Sequence, residues 1–82
     1  GHGFATEAVR AALRIGFEEW GEHRIFARVD EENIASVKVC EKVGMRQEAR
    51  FIENDMRGEV WSNELVFAML SREWVAQNGD SE

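Results

Sequence analysis

The sequence predicts an α/β (α+β) fold in the order helix, strand, helix, strand, strand, and three observations carry that expectation. Small and apolar residues recur at steps of three and four from Ala5 to Trp20; Arg24 to Asp30 alternates in polarity; and two longer strand-like runs flank a turn-rich segment. With 82 residues, one cysteine and no proline, there is room for one core only, since domains usually run to about 100–150 residues. Apolar residues are 44% and charged residues 32%, which places the chain among folded proteins rather than disordered ones.

The first helix is expected over Thr6 to Trp20. Ala5, Ala8, Val9, Ala12, Leu13, Gly16, Phe17 and Trp20 make its buried stripe, Glu7, Arg10, Arg14 and Glu18 its wet face, and Gly21 its stop. Arg24 to Asp30 then reads as a strand with Ile25, Ala27 and Val29 on one side and Phe26 and Arg28 on the other. Asn33 is placed to cap a second helix of about ten residues, defined by Ala35, Val39 and Val43 and ended by Gly44. Met45 to Glu53 is the second strand, Asn54 to Gly58 its connection, and Val60 to Leu70 a third strand whose apolar end predicts a central position. These two are expected to pair as an antiparallel hairpin. Ser71 starts a last helical turn that carries Trp74 into the core, and Gln77 to Glu82 is expected to fray.

Ten basic against sixteen acidic side chains give a net charge of −6, which repels phosphate backbones and argues against nucleic acid as a partner. The longest apolar run, Leu65 to Leu70, is far short of the ~20 residues that cross a bilayer. No charged segment leads into an apolar stretch at the start. The chain is therefore expected to be neither secreted nor membrane-bound. A single cysteine, Cys40, forms no intrachain disulfide and fits a reducing cytoplasm. Two histidines, His2 and His23, with one cysteine make no convincing metal set, and no metal is expected.

Gly1-His2-Gly3-Phe4-Ala5-Thr6 sets two glycines and small residues ahead of a strongly periodic helix. Such a backbone lets a phosphate approach the unpaired amides of the helix start, although the same pattern also serves as an ordinary turn. Farther on stand Asn33-Ile34-Ala35-Ser36 and Val39-Cys40-Glu41-Lys42-Val43-Gly44-Met45. Together with the opening stretch, these resemble the GNAT superfamily of acetyl-CoA-dependent N-acetyltransferases. Gly3 and Ala5 match the last two fixed positions of that family's Arg/Gln-x-x-Gly-x-Gly/Ala loop. Gly-Phe-Ala-Thr-Glu-Ala-Val, Asp30-x-x-Asn33-x-x-Ser36 and Arg72-Glu73-Trp74 look most like the ribosomal-protein N-terminal acetyltransferase branch.

The resemblance implies the C-terminal half of an acyl-CoA N-acyltransferase fold, a small mixed sheet with helices packed on it. By that pattern residues 1–76 form a partial domain and 77–82 a polar tail. The first four strands and two helices of the family domain would lie outside these residues, among them the strand beside Arg24–Asp30 and much of the acceptor site. The resemblance also implies that Gly1, His2, Gly3, Phe4, Ala5 and Thr6 hold the pyrophosphate of acetyl-CoA, that Asn33 contacts the pantetheine arm, and that Ser36 protonates the leaving thiolate. Many relatives carry a tyrosine acid in the second helix, whereas this chain has Cys40 there and no tyrosine.

Each of these residues also has a plainer role. Asn33 and Ser36 together suffice for a helix cap, Cys40 is a small apolar side chain, and Lys38 and Lys42, which can neutralise phosphate, are also ordinary solvated charges. Glu48, Glu53 and Glu64 are the candidates for taking the proton from an attacking ammonium. Two functions remain open: transfer of acetyl to an amine such as a protein N-terminus, or a non-catalytic coenzyme A-binding or assembly module. In either case an unpaired edge at Arg24–Asp30 favours a homodimer, or pairing with a missing N-terminal half.

Overall fold

The computed structural model describes residues 2–78. In chain order it forms α1 (His2–Arg14), a π-helical turn (Ile15–Glu19), β1 (Arg24–Asp30), α2 (Ile34–Lys42), β2 (Arg46–Arg57), β3 (Val60–Leu70) and α3 (Ser71–Asn78). The helix and strand order is the one expected. Gly1 and the tail residues 79–82 lie outside the described residues.

Strand order is β1-β3-β2, with β3 in the centre as its apolar end predicted. Both pairings are antiparallel, so the mixed sheet expected from the family pattern is antiparallel throughout among the described residues. On β1 and β3 the pairs Ile25↔Met69, Ala27↔Phe67 and Val29↔Leu65 share one face. That face meets the helices. Leu13 and Phe17 from the first helical segment, Cys40 and Val43 around α2, and Met45, Leu65, Phe67, Met69 and Trp74 close a single core.

The first helix differs from expectation at both ends. It begins at His2 rather than Thr6, because one glycine costs a helix only about 1 kcal/mol and nothing in the first turn forbids helical backbone. Its last turn widens: the Trp20 N–H donates to the Ile15 carbonyl at 3.0 Å, an i→i+5 bond. Gly16 lies buried in this turn, and a Cβ there would stand 2.6 Å from Cδ1 of Ile25, so glycine permits the close approach to β1. Phe17 stacks on Trp74 at 5.9 Å between ring centres. Glu18 accepts from Nε1 of Trp74 at 2.7 Å.

Asn33 caps α2, its Oδ1 accepting from the Ser36 N–H at 3.1 Å, and Gly44 takes φ 93° just beyond the helix. The hairpin is longer than expected. β2 runs to Arg57, and Gly58 (φ 64°) and Glu59 alone make the turn between Arg57 and Val60. Asn54 to Arg57 therefore belong to the strand, which absorbs extra residues in register shifts at Gln47/Ala49 and Phe51/Asp55. Glu53 sits in the second shift with φ 49°, its N–H donating to Oδ1 of Asn63 at 2.6 Å. α3 is a full helix through Asn78 and so takes in Gln77 and Asn78: Gln77 Nε2 donates to the Gly44 carbonyl at 3.2 Å and Asn78 Nδ2 to that of Trp74 at 2.8 Å.

Candidate functional site

Between α1, β1 and α2 runs an open groove of about 530 Å³. α1 contributes Ala5 and Val9, β1 contributes Ala27 and Val29, and α2 contributes Ala35, Ser36, Val39 and Cys40. Alanine on each of the three elements keeps the walls apart, so the space follows from side-chain size. Ser36 supplies the one hydroxyl in an otherwise apolar lining. Ala5 belongs to the start of α1, and Ala35 and Ser36 to the first turn of α2, so two helix N-terminal ends border one groove. Each such end carries amides without intrahelical partners and a partial positive charge.

A second recess, of about 240 Å³, shares Val39 with this groove and is bordered by Thr6, Lys38 and Lys42. Thr6 is 7% exposed, and its Oγ1 is buried without a hydrogen-bond partner. A buried hydroxyl left unpaired costs about 1–3 kcal/mol, so its retention calls for an explanation.

The residues singled out in the sequence fall into three sets. Gly3, Phe4, Ala5 and Thr6 lie within the first turns of α1 rather than in a loop before it. The stretch expected to seat a phosphate is thus part of the helix itself. Asn33 and Ser36 meet through the α2 cap, which uses the carboxamide oxygen of Asn33 and leaves its nitrogen free of that role. Ser36 in addition faces the groove. Cys40 is buried in the core and forms part of the groove wall; burial first, and the neighbouring charge of Glu41 second, push its thiol above the ordinary range. A thiol so placed stays protonated at neutral pH and is a poor nucleophile.

The three candidate bases stand apart from this groove. Glu48 accepts from Arg46 at 2.9 Å and from Arg24, and these bonds hold its carboxyl below the usual carboxylate range. Glu64 is held low in the same way, by Arg28 at 2.7 Å and Asn54 at 3.1 Å. Proton uptake by either is weakened. Glu53 lies exposed on the far part of β2, and none of the three lines the groove. No cluster of three His, Cys, Asp or Glu side chains suited to a metal occurs among the described residues, and no helix there is long and apolar enough to cross a membrane.

Residues 1–46 match the model of the family described as acetyltransferase (GNAT) domain, and the chain belongs to that family. It is 43% identical over 72 residues to the uncharacterized N-acetyltransferase YnaD of Bacillus subtilis (strain 168), covering 88% of this chain and 42% of that protein. To the probable N-acetyltransferase YjcK of the same organism it is 38% identical over 71 residues, covering 87% and 39%. Among solved structures, an acetyltransferase (GNAT family) from Bacillus anthracis superposes with a TM-score of 0.82 at 42% identity, over 87% of this chain and 43% of that one. The spermidine/spermine N-acetyltransferase SpeG from Vibrio cholerae shares the fold, with a TM-score of 0.86 at 24% identity over all of this chain and 46% of that one. The chain thus spans less than half the length of these relatives.

Proposed function

We propose that this chain is the coenzyme-binding part of a GNAT N-acetyltransferase that passes acetyl from acetyl-CoA to an amine. The observation that carries the reading is the convergence of two helix N-terminal ends on one apolar groove, with the unpartnered Thr6 hydroxyl close by. When bound, acetyl-CoA supplies an acetyl thioester, whose carbonyl carbon is open to attack by a neutral amine.

The chain's own residues have separable parts in this scheme. Amides of His2, Gly3, Phe4 and Ala5 at the start of α1 hold the pyrophosphate. The carboxamide nitrogen of Asn33, unused by the helix cap, donates to the amide-bearing arm. Ala27, Val29 and Val39 keep water from the arm. Ser36 holds a proton for the departing sulfur; a neutral hydroxyl suits that task better than the Cys40 thiol one turn away, which is sunk in the core. The acceptor class is a primary amine, with a protein N-terminus the form favoured by the ribosomal-protein resemblance. A single cysteine, Cys40, fits a cytoplasmic setting.

The alternative, a coenzyme-binding or assembly module without turnover, is favoured by the absence of a carboxylate from the groove lining among the described residues. Titrating the 15N-labelled chain with coenzyme A separates these readings from an accidental likeness. Amides of Gly3 to Thr6 should shift first, with an affinity no better than micromolar. Gly3→Val should abolish the shifts; space around Gly3 is open, so the substitution blocks a ligand without clashing inside the protein. Saturating coenzyme that leaves those amides unmoved would sink the proposal. Amine-dependent release of free thiol, lost in Ser36→Ala, would decide for the enzyme over the module.

A further inference from the structure

In a chain of net charge −6, two cations stand one helical turn apart on α2 without an ion-pair partner among the described residues: Lys38 and Lys42. Like charges at that spacing repel each other, and the acidic side chains nearby in sequence do not relieve them. Thr6, which borders the same recess, carries a buried hydroxyl that has no partner. Two unpaired ammonium groups and one idle hydroxyl around a single recess form a donor set for a doubly charged anion, not for a neutral group.

The coenzyme carries two kinds of phosphate. Its pyrophosphate has about one negative charge on each phosphorus, whereas a phosphate monoester carries −1.5 to −2 at neutral pH. The start of α1 suits the first, and the lysine pair suits the second. Val39 walls both the groove and the recess, so a ligand whose arm fills one can turn its other end into the other. We infer that Thr6, Lys38 and Lys42 form a second anion seat that reads the 3′-phosphate monoester of coenzyme A. This selects coenzyme A over its dephospho form. The inference rests on the coenzyme-binding reading above and adds a specificity to it.

Calorimetric titration of the full chain with coenzyme A, dephospho-coenzyme A and adenosine 3′,5′-bisphosphate tests it. Coenzyme A should bind roughly tenfold tighter than the dephospho form, and the bisphosphate should compete with it. In the double variant Lys38→Gln/Lys42→Gln the ratio between the two coenzymes should fall to about one. Both lysines are exposed, so the fold tolerates the change. Thr6→Val should lower the ratio and Thr6→Ser keep it. Raising salt from low to physiological ionic strength should shrink the preference in the parent chain alone. Equal affinity for both coenzymes in the parent chain would overturn the seat and leave the coenzyme-binding reading standing. A double variant that weakens both coenzymes by the same factor would also overturn it. No binding of either coenzyme would remove the reading and this inference together.

Discussion

Asn33 shows how one side chain serves the fold and the candidate site at once. Its oxygen satisfies the Ser36 amide, so Asn33→Ala should lower the stability of the chain by about 1 kcal/mol, and Asn33→Asp should recover most of it. Urea denaturation gives the comparison; an unchanged midpoint in Asn33→Ala would remove the cap from the account. The carboxylates supply a pH dependence. Arg46 holds Glu73 and Glu48, Arg50 holds Glu31 with help from Asn63, and Arg28 holds Glu64, each carboxyl lying below its ordinary value of 4.5. A carboxyl with a lower pKa in the folded state binds fewer protons there than in the unfolded chain. The stability it contributes is complete above about pH 5 and is lost as pH falls through the folded values. The midpoint of thermal unfolding should therefore be flat from neutrality to about pH 5 and then drop. Arg46→Gln should flatten that drop in part, since it removes the main partner of two of the four carboxylates and leaves Arg24 on Glu48 and the Leu70 N–H on Glu73; an acid limb of unchanged steepness would count against the network. Asn33 was legible as a cap in the sequence because capping is local. The partners of the glutamates were not, because Arg46–Glu73 and Arg50–Glu31 join residues distant along the chain.

At the level of elements, β1 was readable to the residue, since seven alternating positions between Gly21 and the Glu31–Glu32 turn leave little choice of phase. The hairpin was readable as a pair, not in its length. Asn54, Asp55 and Gly58 all favour turns, yet only Gly58 and its neighbour make one, because cross-strand pairing of Asp55, Met56 and Arg57 overrides the turn preference of the first two. Gly58 is then the position that matters. With φ 64° and open space around it, Gly58→Ala should cost about 1–2 kcal/mol through backbone conformation alone. Hydrogen exchange would place the loss; opening confined to the distal hairpin is expected, and an undisturbed exchange pattern would mean the turn carries no such constraint.

For the whole molecule the feature with consequences is the free side of β1. That strand pairs only with β3 among the described residues, and Phe26 (53% exposed) and Trp20 (73% exposed) stand beside it. Its backbone donors and acceptors on that side are a template for another strand. Sedimentation of the 82-residue chain should accordingly report a dimer or larger species at micromolar concentration, and Phe26→Lys should shift it toward monomer. A parent chain that stays monomeric would show that the edge is protected without a partner strand.

Helix and strand order, the two helix stops, the Asn33 cap and the GNAT likeness were all written in the sequence, because periodicity, capping and short motifs depend on residues within a few positions of one another. Which residues share the groove, which carboxylates are tied up by arginine, and that Thr6 borders one recess with Lys38 and Lys42 were decided only when the helices and strands came together. Hydrophobic burial draws those elements together without regard to sequence distance, so the polar contacts it creates are set by packing rather than by any local pattern.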